Sequence, residues 1–251
     1  MSEAVESVAR TMQERYDGLA PGQQHLREFL GTYRRTTLAV GKAVDGGEFE
    51  DAEWVERWDV AFAELYVAAL DAHLSGDVSS GPSRPSRPWR LAFEAPADLP
   101  ALRHVLLGIN AHVNYDLPQA LLAVISDADF ADPTLMATRR RDHERIDGVL
   151  ASRVAAEDAQ LSAHGRTLTD RVLQPLNRLS SKRFLREARI KVWHNTTELQ
   201  TARLAGPASY AERLGELEVL SAARIADLLA PGQVLLRLAV AGFGVTLPPP
   251  G

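Results

Sequence analysis

From Val5 to Leu229 apolar side chains recur at intervals of three and four, the spacing that lines one face of an α-helix. No apolar–polar alternation bounded by hairpin turns interrupts them, so the sequence leaves little room for strands. The expected fold is all-α, a single-domain orthogonal or bundle-like array of about eight or nine helices. A chain of 251 residues is close to the upper size that one core can serve, so a single helical domain over 1–251 is expected.

Helix signals divide the chain further. The first helix is predicted over 3–16. Pro21 opens a second, which turns Leu26, Phe29, Leu30, Tyr33 and Val40 inward and closes at Gly46-Gly47. Asp51 caps a third, whose stripe of Trp54, Val55, Trp58, Phe62, Leu65, Tyr66 and Leu70 must be core. Residues 78–88, rich in Ser, Gly, Arg and Pro, read as a loop. Pro100 then opens a long helix that Pro118 must bend near Asn114 and Asp116, because proline removes a backbone donor and crowds the preceding turn. Asp132-Pro133 reads as N-cap and first position of a helix running toward Ala163. Further helices are expected over 168–179, 182–204, 210–229 and 233–240, with Gly206-Pro207 and Pro231-Gly232 as stops. A frayed tail is expected over 246–251.

Charge and composition narrow the function. The 28 basic and 33 acidic side chains give a net charge of -5, without the basic excess that nucleic acid requires. With no cysteine, disulfides, thiolate catalysis and cysteine-ligated metals are excluded, so any metal needs His, Asp or Glu. The first residues lack the basic start and apolar run of a secretory signal, and no run of about 18 apolar residues occurs. A cytoplasmic protein without a membrane span is expected.

Polar chemistry concentrates between His104 and Pro118, where His104, Asn110, His112, Asn114 and Asp116 stand in a strongly apolar helix. At 3.6 residues per turn, His104, Gly108, His112 and Asp116 share a slowly drifting stripe, so His112 and Asp116 face one way a turn apart. Such a pair can share a metal, or the carboxylate can orient the imidazole for proton transfer. Equally, buried His, Asn and Asp can simply stitch helices together. Asn110 and Asn114 lie on another stripe, and Gly108 permits close approach of a helix or ligand.

Other candidates are weaker. Asp142 points toward the core side of its helix, and His143 with Asp147 repeats the His-x-x-x-Asp spacing on a helix whose mixed charge argues for a solvated face. Asp127, Asp129 and Asp132 fit capping better than calcium binding. Arg189 and Trp193 share a face that can clamp an anionic or planar ligand, or make a structural ion pair. An inward Asp59, on the helix that carries Tyr66 and pairs with that of Tyr33, needs a partner. No phosphate loop, Gly-x-Ser-x-Gly, His-Glu-x-x-His or Glu-x-x-His motif is present.

The run Leu107 to Leu117, with Gly108, Asn110, His112, Asn114 and Asp116, resembles the signature of an uncharacterised helical family common in actinobacteria, the domain of unknown function 5995. The resemblance extends to Phe29, Tyr33 and Thr36, to the 59–66 helix, to Trp89 with Phe93, to Asp142 with Ile146, and to Arg189 with Trp193. It departs at Asp147, where the family carries Asn, and at His143, where it tolerates an aromatic. The resemblance implies the fold and the place of the site, and no reaction. The Gly108, His112, Asp116 spacing is also similar to that of helical zinc phospholipases and nucleases, whose N-terminal tryptophan ligand and further histidine pairs are missing.

The expected function is a small-molecule enzyme whose apolar pocket lies between helices. There His112 and Asp116 do acid–base work on a lipophilic, biosynthetic substrate, by cyclisation, elimination or hydrolysis, with Asn110, Asn114, Arg189, Trp193 and Tyr33 binding it. No cofactor is expected; a divalent metal on His112, Asp116 and Asp142 would make a hydrolase instead. A noncatalytic binding or scaffolding protein is the other class. Both the enzymatic and the metal readings require His112 and Asp116 to project into a space that a ligand can enter. A homodimer through apolar helices such as that over 233–240 is compatible with the sequence.

Overall fold

A computed structural model of the chain describes residues 2–75, 84–163, 168–232 and 242–250, with side chains described outside 151–185. Its helices run in the order α1 (Glu3–Gly18), α2 (Leu26–Asp45), α3 (Ala52–Ser75), α4 (Arg87–Phe93), α5 (Ala101–Ala111), a π turn (His112–Asp116), α6 (Leu117–Val124), α7 (Asp127–Phe130), α8 (Pro133–Ala163), α9 (Leu168–Ala205) and α10 (Pro207–Leu229). No strand occurs among the described residues. No helix among them is long and apolar enough to cross a membrane.

The expected end signals act where the sequence places them. Asp51 accepts from the Trp54 amide at 3.0 Å and starts α3. Asp132 accepts from Thr134 and Leu135 at 2.9 and 3.0 Å and starts α8. Ser126 and Asp129 make a reciprocal capping box on α7, which accounts for Asp129 as a cap. After α2 the chain turns through Gly47 at φ 71°, a left-handed conformation that favours glycine.

Several boundaries shift for identifiable reasons. Pro21 opens only a short 3-10 turn (Pro21–Gln23), and α2 itself begins at Leu26. Arg87 and Pro88 belong to α4 rather than to a loop, because proline in the first turn gives up a donor that would have no helical acceptor. The two helices expected over 168–179 and 182–204 are one, since Ser180-Ser181 brings neither Pro nor Gly to end it. Gly206-Pro207 stops α9 and also starts α10, with Pro207 in its first turn. The end expected to fray from 246 is tied down instead: the Leu247 amide donates to Asn195 Oδ1 at 2.9 Å, Arg213 donates to the Pro248 carbonyl, and Leu247 is buried. The helix expected over 233–240 lies outside the described residues, as do positions 78–83 of the expected loop.

The core forms where α3 meets α1, α2 and α6 and where α2 meets α5. Trp54, Trp58, Tyr66 and Leu70 of α3 are sealed against Met12, Leu30, Leu107, Leu117 and Leu121. Each such side chain contributes about 1.5–3 kcal/mol on leaving water, enough that the stripe of α3 dictates its orientation. A smaller cluster of Leu122, Leu199, Leu217 and Leu247 holds α9, α10 and the 242–250 segment together. The π turn sits at the centre of this arrangement, in contact with α3, α9 and α10.

Candidate functional site

The helix that begins at Ala101 widens in the turn just before Pro118. Over His112–Asp116 the backbone adopts π geometry, and the Leu117 amide donates to the His112 carbonyl five residues back. Pro118 has no N–H to donate to Asn114, which removes one reason for the chain to keep α spacing there. The Tyr115 carbonyl is met by the Gln119 side-chain amide at 2.8 Å. Single π turns of this kind concentrate at functional sites.

Within the turn the His112 and Asp116 side chains meet, Nδ1 to Oδ2 at 2.8 Å. The same Asp116 oxygen accepts the Trp89 indole N–H of α4 at 2.7 Å. Burial is the largest influence on both partners: it pushes the imidazole below its ordinary value and the carboxyl above its own, while their mutual hydrogen bond opposes each shift. The imidazole is therefore held neutral. With Nδ1–H donating to the carboxylate, Nε2 carries a lone pair, and that atom is buried without any hydrogen-bond partner.

Aromatic rings box the imidazole. Phe62 stacks flat on it at 3.5 Å, Tyr33 stands edge-on at 4.4 Å, and Phe29, Tyr66 and Trp89 lie at 5.8 to 5.9 Å. More unpartnered polar atoms share this region: the Tyr33 hydroxyl, Thr37 Oγ1 and one oxygen of Asp59. Burial raises the Asp59 carboxyl well above its ordinary value, with Glu56 adding to the rise, and burial and Asp59 together raise Tyr33. Asp59 is thus held protonated more readily than an ordinary carboxyl.

The site is closed. His112 is 2% and Asp116 3% exposed, so the expectation that they project into an open space is not met. A cavity of about 10 Å³, room for roughly one water, lies behind the box, lined by Phe29, Tyr66, Trp89, His25, His104 and Gly108. The close approach that Gly108 permits is taken up by Phe29, whose ring a Cβ at 108 would overlap.

The other expected site residues divide. Tyr33 joins the dyad. Asn110 donates to the Leu106 carbonyl at 2.8 Å and accepts from Asn114 at 3.3 Å. Asn114 in turn donates to the Phe243 carbonyl and accepts the Val245 amide, so Asn114 holds the 242–250 segment and Asn110 holds Asn114. Asp142 cannot complete a metal set with His112 and Asp116. Both its oxygens are occupied, by the Glu50 and Asp51 amides at 2.9 and 2.7 Å and by Arg145 at 2.8 Å. No group of three or more metal-ligating side chains converges among the described residues. Arg189 pairs with Asp147 at 2.6 Å, and Trp193 lies 5.6 Å from His143, in a separate cluster between α8 and α9. Sequence reasoning missed Trp89 and Phe62 as neighbours of the dyad, since an aromatic on an apolar stripe reads as core; Asp59 alone carried a signal, a carboxylate inside such a stripe.

No curated protein and no solved structure matches the chain. A family model, however, covers residues 5–231, from α1 to the end of α10. The chain belongs to that family, described as the Family of unknown function (DUF5995).

Proposed function

We propose that the protein is a small-molecule enzyme in which His112 transfers a proton and Asp116 holds it in register. The observation that carries this reading is the bare Nε2 of a neutral imidazole whose other nitrogen is fixed by a carboxylate. Trp89, donating to the same carboxylate oxygen, keeps Asp116 from rotating away. The aromatic box of Phe29, Tyr33, Phe62, Tyr66 and Trp89 suits an apolar substrate, reached when Phe62 or a neighbouring ring gives way. Asp59, with its raised proton affinity, supplies an acid on the same helix as Phe62. Proton removal and return at one apolar substrate is the chemistry of a cyclase, an eliminating lyase or a hydrolase.

A noncatalytic reading is favoured by one observation, the near-complete burial of His112 and Asp116. The two separate in a turnover experiment. Wild-type protein and H112Q are incubated with a mixture of apolar metabolites, consumption is followed by mass spectrometry, and melting temperatures are taken in parallel. We expect H112Q to melt within a few degrees of wild type and to lose about 100-fold or more of the turnover. Equal consumption by H112Q, or none by the wild type, would overturn the proposal.

A further inference from the structure

A second group of buried polar atoms lies on the far side of Trp58 and Phe62 from the dyad, and the chemistry proposed at His112 makes no use of it. His143 of α8 has no exposed surface, and neither of its ring nitrogens has a partner. Arg189 of α9 is 7% exposed; its Nε donates to Asp147, but Nη1 is buried without an acceptor. Trp58 of α3, its ring 6.3 Å from that of His143, buries an indole N–H that also lacks an acceptor. Three helices thus bring buried, unpartnered polar atoms around His143, while the acceptor given to Arg189 is a single oxygen at 2.6 Å on one edge of the guanidinium.

Such a surplus is costly to leave unmet, since each buried unsatisfied polar group destabilises by about 1–3 kcal/mol. What the Arg189 guanidinium and the Trp58 indole lack is a further acceptor. A guanidinium with a free edge matches a planar carboxylate, which takes two parallel N–H bonds. Arg189 and Asp147 already cancel in formal charge, and Glu144 also acts on Arg189, so a monoanion leaves less uncompensated charge in the interior than phosphate would. The surroundings are apolar: Trp193 lies 5.6 Å from His143, and Trp58 continues into the ladder of Trp54 and Phe62, each 6.2 Å away. Asp147, its side chain 28% exposed, marks where the cluster reaches the surface.

We infer that His143, Arg189 and Trp58 form a binding site for the carboxylate of an apolar organic acid, with the acid's body lying against Trp58 and Trp193. Occupancy of this site requires no chemistry at His112.

The test is a titration followed by NMR. Wild-type protein is titrated with phenylacetate, hexanoate and decanoate, and in parallel with 2-phenylethanol and inorganic phosphate, while the Trp58 indole N–H and the His143 ring signals are monitored. W58F and H143F assign the signals. At least one of the three acids shifts both signals saturably at one per chain, 2-phenylethanol and phosphate do not, and R189Q weakens that acid about tenfold or more. The inference is overturned if none of the acids shifts them at millimolar concentration. It is equally overturned if 2-phenylethanol or phosphate shifts them as well as the acids do, or if folded R189Q binds as tightly as wild type. Should R189Q fail to fold, the wild-type titrations decide alone.

Discussion

Two buried aspartates, both on the inner sides of helices, have opposite surroundings. Asp142 of α8 is fully buried, and its two oxygens take two backbone amides and Arg145, which in turn pairs with Glu50 on the loop before α3. Asp59 of α3 is 3% exposed and keeps one oxygen without any partner, close to Tyr33, whose hydroxyl is equally unpartnered. The first carboxylate is a clasp between α8 and the α2–α3 connection. The second lowers the stability of the core that contains it, the pattern expected where a fold keeps a polar group for use and not for support. His112 resembles Asp59 in this respect, satisfied on one nitrogen and bare on the other.

That contrast can be broken by substitution. Asp142→Ala removes the clasp and leaves two amides and Arg145 unmet, and the expected loss is about 3–5 kcal/mol in urea unfolding. Gly108→Ala forces Phe29 away from the dyad, for a loss of about 1–3 kcal/mol by the same measurement. Asp59→Asn carries the opposite sign: at pH 8 it is expected to raise stability by about 1 kcal/mol or more, because the amide cannot ionise and escapes the cost of charging a buried carboxyl.

The pH dependence follows from the direction of the Asp59 shift. Its folded carboxyl binds a proton more tightly than the unfolded one, so its contribution is favourable at low pH. That contribution is lost as pH rises from the ordinary value of 3.8 through the raised folded value. Asp59→Asn abolishes this slope. His143 acts with the other sign. Burial, Arg189 and Arg140 hold its imidazole well below 6.5, so stability falls as pH drops below that value, and H143F flattens the fall. The smallest effect belongs to Tyr33→Phe, where an unpartnered hydroxyl is removed and the unfolding midpoint is expected to move by no more than about 0.5 kcal/mol.

Much of this was legible in the sequence, for reasons that differ by residue. The stripe of α3, the caps at Asp51 and Asp132 and the His112–Asp116 pair all depend on neighbours within about one turn, where helix geometry alone decides who meets whom. The π turn was foreseen only as a bend, because Pro118 fixes what the backbone cannot do and leaves open how it relaxes. The partners of Asn114 and Asp142 were not legible, because the 243–245 backbone and the Glu50 and Asp51 amides lie about 90 or more positions away. Trp89 reaches Asp116 across the chain from α4, and no local pattern announces such a donor. Closure of the site was likewise invisible, since Phe29 and Phe62 come from two helices whose registers only packing sets.

The proposed proton transfer rests on one atom, Nε2 of His112, and long-range ¹H–¹⁵N correlation of the histidine rings at pH 7 reads it directly. The prediction is a His112 ring protonated on Nδ1 and unprotonated on Nε2, with an Nε2 signal that moves when Asp116 is changed to Asn. A His112 ring that is doubly protonated, or one protonated on Nε2, would contradict it, because neither has a free base to offer a substrate.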